Sequence, residues 1–233
     1  MPAALEIRDL RFRYSSRSGD VLHIPQFSVE KGEKIFIFGP SGSGKTTLLS
    51  LIGGLFRPNG GTISVLGQMV TSMSQGERDR FRAREIGFVF QVFNLVPYLS
   101  TIQNITLPCR FGRRISSGFS AENEEAGYLL EKLGLGALES RDISTLSIGQ
   151  QQRVAVARAL MGSPGLIIAD EPTSALDADA RSDFLRVLFE QAKREGSTIL
   201  FVSHDRSLAT QFDRSIALDE FNQVNKQSAR SYS

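Results

Sequence analysis

The segment GPSGSGKT spans residues 39–46 and follows the apolar run KIFIF of residues 34–38. It fits the pattern G-x-x-x-x-G-K-[S/T] in full. Triphosphate oxygens must be met by several backbone N–H groups at once, and glycines let the chain wrap that closely. The helix predicted from Lys45 to about Leu55 turns its positive end toward the same anion. A buried strand, a glycine-rich loop and a helix in this order predict a phosphate-binding α/β domain.

Outside this segment, short β-like runs alternate with helical patterns, which indicates a mainly parallel sheet. Residues 5–14 and 27–29 are predicted to be antiparallel edge strands. Further strands are predicted at residues 62–66, 86–90, 166–169 and 198–202, and helices at residues 122–133 and 178–194. The basic segment 110–120 is predicted to be an exposed loop, and the polar tail 222–233 is predicted to be disordered.

The composition favours a globular protein of ordinary kind. A chain of 233 residues can form one sizeable α/β domain, and its 41% hydrophobic and 22% charged content is typical of soluble domains. The formal charge of +2 gives no reason to expect a nucleic-acid partner. The single cysteine, Cys109, excludes an intrachain disulfide and a multi-cysteine metal site. No stretch approaches the roughly 20 apolar residues of a membrane helix, and no signal-peptide pattern opens the chain, so we expect a soluble cytoplasmic protein.

The glycine-rich loop predicts binding of a nucleotide with its metal ion. Lys45 places a point charge for the β- and γ-phosphates, and the Thr46 hydroxyl is a ligand for Mg²⁺. A glycine turn that merely precedes a lysine is the alternative, but the strand before it and the helix after it favour nucleotide binding. The residues predicted to contact ATP here are Gly39, Pro40, Ser41, Gly42, Ser43, Gly44, Lys45, Thr46 and Thr47.

Two carboxylates follow the apolar strand predicted at residues 166–169. Strands of a parallel sheet deliver such side chains to the carboxyl edge, where ligands bind. Asp170 is predicted to hold Mg²⁺, and Glu171 to orient and deprotonate the attacking water. A polar loop after a strand is common, so this pattern gains its meaning from the phosphate loop. His204 also follows a strand, and from the residues alone a cap or surface role is more common for it than catalysis.

The segment LSIGQ at residues 146–150 precedes an Ala-rich helical run. Ser147 and Gln150 form the pattern of a capping box, S-x-x-Q, which leaves N–H groups and a hydroxyl at a positive helix terminus. The segment resembles the signature sequence of ABC ATPases, and it lies between the phosphate loop and the acidic strand, as in that family.

This resemblance covers about residues 5–218 and implies further roles. Tyr14 resembles the aromatic residue that stacks on adenine, Gln91 the glutamine that senses Mg²⁺ and the permease, and His204 the histidine at the γ-phosphate. Residues 174–177 resemble the loop that crosses the dimer interface. Catalysis is then expected from Glu171, His204 and Lys45, metal binding from Thr46, Gln91 and Asp170, and nucleotide contacts across a head-to-tail homodimer from Ser147, Gly149 and Gln150.

The resemblance also implies the architecture. The fold expected is a P-loop NTPase with a RecA-like α/β core, an antiparallel β sub-domain near the N-terminus and an inserted helical sub-domain at about residues 92–158. Residues 1–233 then form a single nucleotide-binding domain with no membrane part of its own.

Residues 87–97 and 101–108 resemble more narrowly the lipoprotein-releasing and macrolide-export branch of the family. That branch implies a separate FtsX-like membrane permease as partner and a location on the cytoplasmic face of the cell membrane. Two other classes stay open: an ATP-binding regulatory or scaffolding subunit with little turnover, and a soluble ABC ATPase acting on DNA or ribosomes. The soluble class typically carries long coiled coils or two tandem cassettes, and this chain has neither.

One residue departs from the family pattern, because Ile148 stands where the signature sequence usually has a first glycine. Isoleucine adds bulk and does not readily adopt positive φ. Either the backbone here is ordinarily helical and the side chain points away from ATP, or the site is partly degenerate. The retention of Ser147, Gly149, Glu171 and His204 favours an active enzyme.

Overall fold

The computed structural model describes residues 3–112, 119–174 and 176–224. They divide into two compact units. Unit one takes its residues from 3–79 and 198–224, and unit two from 80–197.

The described strands are β1 (Ala3–Phe12), β2 (Leu22–Glu30), β3 (Lys34–Phe38), β4 (Gly60–Val65), β5 (Gln68–Met69), β6 (Ile86–Val89), β7 (Leu166–Asp170), β8 (Thr198–Val202) and β9 (Arg214–Ala217). The α-helices are α1 (Lys45–Ile52), α2 (Gln75–Glu85), α3 (Thr101–Thr106), α4 (Cys109–Gly112), α5 (Phe119–Lys132), α6 (Ile148–Leu160), α7 (Ala178–Glu195) and α8 (Leu218–Phe221).

Unit one contains an antiparallel sheet with the strand order β2-β1-β4-β5. Leu5 pairs with Val29 on one side and with Val65 on the other. Strand β1 is therefore an inner strand, and its prediction as an edge strand was wrong. Alternation of apolar and polar residues shows that one face is covered, but it does not show how many neighbouring strands pair with it.

The parallel strands of unit one run in the order β8-β3-β9. Phe36 pairs with Phe201 on one side and Ser215 on the other, and residues 35–37 of β3 and all of β8 are buried. Such continuous apolar runs are typical of parallel strands covered on both faces. Helix α1 follows β3, as predicted, but it ends at Ile52 and not near Leu55.

Unit two contains the parallel pair β6-β7, in which Val89 pairs with Ala169. Helix α6 lies so close to β6 that a Cβ added at Gly87 would overlap the carbonyl group of Ala159. The glycine therefore permits direct contact between helix backbone and strand.

The predicted helices of unit two are present with small shifts of their ends. Helix α5 is followed by Gly134 with a φ of 69°, and α7 by Gly196 with a φ of 68°, both left-handed residues of the kind that ends helices. The predicted loop at 110–120 is wrong for residues 110–112, which belong to α4, and for residues 119–120, which belong to α5; residues 113–118 lie outside the described part. None of the described helices combines the length and the apolar character of a membrane-spanning segment.

The tail predicted to be disordered, residues 222–233, begins in an ordered segment. Asn222 is buried, its side-chain amide donates to the carbonyl of Val21, and its Oδ1 accepts from the N–H of His23 at 2.9 Å. These bonds hold the end of α8 to the start of β2. Residues 225–233 lie outside the described part of the chain.

Candidate functional site

The phosphate loop lies between β3 and α1 in unit one. Gly42 has a φ of 76° and Gly44 a φ of 102°, values that side-chain-bearing residues rarely adopt. The glycines of the motif are thus required by the backbone of the loop at these two positions. Gly44 also precedes the first residue of α1, so the unpaired N–H groups of that helix begin where the loop ends.

Lys45 lies at the centre of the loop and is buried. Its ammonium donates to the carbonyls of Gly39 at 2.8 Å and Pro40 at 2.9 Å, so the loop curls around the charge. Ser43 Oγ is also buried and has no hydrogen-bond partner within the described residues. A cation, free N–H groups at a helix start and flexible glycines form a donor set that fits a polyphosphate.

Tyr14 is exposed over 62% of its surface, but the ring is held in place. Its hydroxyl and the Thr47 hydroxyl are hydrogen-bonded at 2.7 Å, and its ring meets the rings of Phe12 and Phe56 edge-on, with centroids 5.0 and 6.0 Å away. The structure brings Tyr14 to the first turn of α1, and its stacking on adenine stays a prediction. Thr47 is buried with its hydroxyl on Tyr14, whereas Thr46 is exposed.

His204 belongs to the same edge of unit one as the phosphate loop. Strands β3 and β8 are parallel, and Ile37 pairs with Val202, so the loops that carry Gly39 and His204 leave the carboxyl ends of adjacent strands. His204 is exposed. Asp205 accepts a hydrogen bond from the N–H of Ser207 at 3.1 Å, which caps the short helix that follows. The structure therefore places this histidine where ligands of parallel sheets bind.

The candidate residues of unit two follow the carboxyl ends of the adjacent strands β6 and β7. Gln91 follows β6, is exposed and lies two residues after Val89; Asp170 ends β7. Glu171 comes next with a φ of 48°, the left-handed region, although it is not a glycine. Such a backbone costs of order 1–3 kcal/mol and persists where the surrounding structure enforces it, commonly at functional sites.

The signature segment forms the predicted capping box at the start of α6. Ser147 Oγ accepts from the N–H of Gln150 at 3.3 Å, and Gln150 Oε1 accepts from the N–H of Ser147 at 2.9 Å. Ile148 is the first residue of the helix and is 61% exposed, and Gly149 is helical without positive φ. No residue of this turn needs the freedom of glycine, which accounts for an isoleucine at 148.

The segment expected to cross a dimer interface, residues 174–177, is described except for Ala175. The N–H of Ser174 donates to the carbonyl of Glu171 at 3.3 Å. Asp177 caps α7 by accepting from the N–H of Ala180 at 2.8 Å.

Two buried polar side chains of α6 were not predicted from the sequence to have a role. Gln152 is 1% exposed, and its Nε2 donates to the carbonyl of Pro172. Arg158 is 9% exposed and donates to the carbonyls of Phe93 at 2.6 Å and Asn94 at 2.7 Å. Burial lowers the pKa of its guanidinium from the ordinary value. The signal in the sequence was weak: two polar residues on the apolar face of a helix.

Comparison with known proteins agrees with this architecture. A family model described as "ABC transporter" matches residues 22–174. The lipoprotein-releasing system ATP-binding protein LolD of Anaeromyxobacter dehalogenans is 44% identical over 198 residues, which are 85% of this chain and 82% of that protein. The macrolide export ATP-binding/permease protein MacB of Syntrophobacter fumaroxidans is 42% identical over 88% of this chain, which spans only 29% of its length.

Among solved structures, a dimeric post-hydrolysis state of the ATP-binding cassette MJ0796 bound to ADP and Pi superimposes with a TM-score of 0.83. It is 33% identical, and the match covers 92% of this chain and 94% of that one. The expected P-loop NTPase fold is thereby confirmed. By family match and by fold, the chain belongs to the ABC transporter family, as one of its ATP-binding cassettes.

Proposed function

We propose that this cassette hydrolyses ATP with Mg²⁺ and drives a separate FtsX-like membrane permease. The observation that carries ATP binding is the phosphate loop, with its two left-handed glycines and the buried Lys45 ammonium. Gly39, Pro40, Ser41 and Ser43 complete the loop, and the ring of Tyr14 takes the adenine by stacking.

Hydrolysis needs a base for the attacking water. Glu171 accepts a proton from that water. The water oxygen forms a bond to the γ-phosphorus, and the bond between the γ-phosphorus and the β–γ bridging oxygen breaks. His204 binds the γ-phosphate, and Lys45 neutralises charge on the β- and γ-phosphates. Bound Mg²⁺ would neutralise further charge on the phosphate oxygens, and the residues proposed as its ligands are Thr46, Gln91 and Asp170.

A second copy of the chain completes the reaction. Ser147, Gly149 and Gln150 lie at an exposed helix start with a free positive end, the kind of terminus that holds a phosphate. In the proposed head-to-tail homodimer this turn contacts the nucleotide bound by the other copy. The dimeric state of MJ0796 supports the arrangement.

Two substitutions test the chemistry. Lys45→Ala removes the buried cation and should abolish ATP binding, measured by titration with a fluorescent nucleotide. Glu171→Gln should bind ATP normally but turn over at least ~10²-fold more slowly and accumulate as an ATP-bound dimer in gel filtration. Turnover of Glu171→Gln at the wild-type rate would refute the assigned base.

The partner is proposed from the relatives and from the exposed surface that follows Gln91. LolD is named as the ATP-binding protein of a lipoprotein-releasing system, and MacB as a macrolide export ATP-binding/permease protein. Val92 is 76% exposed and Tyr98 83%, and exposed apolar residues of this kind suit an amphipathic helix of a partner. Such a cassette would act on the cytoplasmic face of a membrane.

The partner is tested by extracting membranes with detergent and isolating the chain with its bound proteins. Two copies should co-purify with two FtsX-like subunits. Tyr98→Asp should abolish this association and leave ATP binding intact. Phe111→Asp, a matched change at another aromatic residue with 71% exposure, should leave the association intact. Co-purification with ribosomes, DNA or a six-helix exporter-type permease would overturn the assignment.

A regulatory subunit that binds ATP with little turnover is the second candidate, and Ile148 is the observation that favours it. The helical backbone at Ile148 shows that this turn does not need the conformational freedom of glycine. The two candidates are separated by the turnover of Ile148→Gly.

A further inference from the structure

We propose that Gln152 and Arg158 of α6 are positioning residues that fix the loops after β7 and β6, and through them Glu171 and Gln91. The inference rests on the roles proposed above for Glu171 and Gln91. All the contacts that carry it lie within unit two.

The first contact lies next to the proposed base. Glu171 has a left-handed backbone with φ at 48°, and the residue after it, Pro172, gives its carbonyl to Gln152 Nε2. Proline has no N–H, so this carbonyl is the one backbone hydrogen-bonding group that residue 172 offers. A bond from a side chain that is 1% exposed holds the peptide group between Pro172 and Thr173, one residue beyond the strained glutamate.

The second contact repeats this arrangement on the neighbouring strand. Asn94 has a φ of 50°, and its carbonyl accepts from Arg158 Nη1 at 2.7 Å. Arg158 Nη2 donates to the carbonyl of Phe93 at 2.6 Å. A planar guanidinium presents its N–H donors in a fixed fork, so it holds the two carbonyls in one geometry more rigidly than a freely rotating ammonium would. This holds the segment that begins at Gln91.

Helix α6 is a suitable support for both loops. It contacts β6 directly, since Gly87 and the carbonyl of Ala159 approach too closely for any side chain at 87. Residues 154–160 of the helix are all buried, so the helix backbone is fixed by packing on most sides. Gln152 and Arg158 each reach from this fixed frame to a loop carbonyl at or next to a left-handed residue.

Burying a glutamine side chain costs free energy, because its amide must be desolvated. An apolar side chain of similar size would pack the same volume. The contact with Pro172 therefore has a purpose that packing does not supply, namely the orientation of the loop at Glu171.

A double-mutant cycle tests the role of Gln152. Gln152→Met keeps the volume and removes the N–H donor, and a misplacement of the base by up to about 1 Å should lower kcat about 10- to 100-fold. The dissociation constant of ATP should change less than about twofold, since the phosphate loop belongs to unit one. In the Glu171→Gln background, the same change should lower the residual single-turnover rate less than about twofold, because the group that it positions is gone.

Two controls separate positioning from loss of fold. Gln191→Met replaces a comparably buried glutamine, 9% exposed, on α7 and should leave kcat unchanged. Gln152→Asn keeps the amide but is one methylene too short, so it should reproduce the loss of kcat if Gln152→Met proves unstable. Equal losses of turnover from Gln152→Met in both backgrounds, or no loss in the wild type, would overturn the proposal. Wild-type turnover of Glu171→Gln alone would instead refute the assigned base and leave the contact unaffected.

Arg158 is tested in the same way against Gln91. Arg158→Met should lower kcat about 10-fold and leave the ATP affinity unchanged. Arg158→Lys should keep part of the rate by binding one of the two carbonyls. Neither change should lower kcat further in the Gln91→Ala background. The control is Arg78→Met, since Arg78 is an equally buried arginine that donates to the carbonyls of Gly54 and Met73 in unit one. Its loss should lower the melting temperature without a matching loss of kcat per folded molecule. A loss from Arg158→Met that persists in full without Gln91 would refute this half of the proposal.

Discussion

Replacing Ile148 by glycine tests whether the departure from the signature sequence weakens the enzyme. The Ile148 side chain is 61% exposed at the first turn of α6. Full burial of isoleucine stabilises by about 1.5–3 kcal/mol, so the roughly two-fifths that is covered contributes about 1 kcal/mol. The poor helix propensity of glycine adds about 0.5 kcal/mol. The free energy of unfolding should therefore fall by about 1–1.5 kcal/mol, and the melting temperature by about 2–6 °C for a chain of this size.

Turnover, in contrast, should change less than about twofold, a difference of about 0.4 kcal/mol in the barrier. The backbone at 148 is already helical, and glycine at this position offers no conformation that the site needs. The assay is steady-state ATP hydrolysis by the purified chain, alone and with the permease proposed above, beside urea unfolding of the same preparations. Ile148→Ala is the matched control, since it removes the side chain but keeps helix propensity.

A rise in turnover in one or both variants would also show whether the side chain or the backbone of residue 148 limits the enzyme. A rise of kcat of about fivefold or more in both, about 1 kcal/mol in the barrier, would mean that the isoleucine side chain obstructs the nucleotide. A rise in the glycine variant alone would mean that the turn needs a backbone conformation other than the helical one. Either result would refute a fully competent site.

Three further changes have defined outcomes. Tyr14→Phe loses the hydroxyl bond to Thr47 and should weaken ATP binding less than about 10-fold in a nucleotide titration. Tyr14→Ala also loses the aromatic face, and in the same titration it should lose about 1–3 kcal/mol of binding free energy. Gly87→Ala should destabilise by about 1–3 kcal/mol or more through overlap with Ala159, while Gly19→Ala, with no atom within 4 Å of the added carbon, should be near neutral in urea unfolding. Asp177→Ala removes the cap of α7 and should lower the free energy of unfolding by about 0.5–2 kcal/mol. Asp177→Asn keeps a capping oxygen and should largely restore the stability. Equal losses from both variants would show that the charge of Asp177 matters and not its cap.

The phosphate loop was predictable because its geometry is local. Gly42 and Gly44 adopt the positive φ values for which glycine is the suitable residue, and the strand and helix around them follow from apolar runs a few residues away. The capping box at Ser147 and Gln150 was predictable for the same reason, since its two hydrogen bonds span only three residues.

The position of β1 in its sheet was not predictable, because it depends on partners far along the chain. Leu5 pairs with Val29 and Val65, and no local pattern in residues 3–12 records the second pairing. The short helix α4 was missed because four residues carry too little periodicity to separate a helix from a loop.

The contacts of Gln152 and Arg158 were hidden for a different physical reason. Each side chain binds a backbone carbonyl, a group that every residue carries, so the partner residue leaves no mark in its own side chain. Arg158 and Asn94 are 64 residues apart, and nothing in the side chain of Asn94 or Phe93 identifies either as an acceptor. It follows that a side-chain change at Phe93 should leave the carbonyl bonds in place, whereas a change at Arg158 removes both at once. Carbonyl bonds of this kind depend on the helix residue and not on the side chains of the loop.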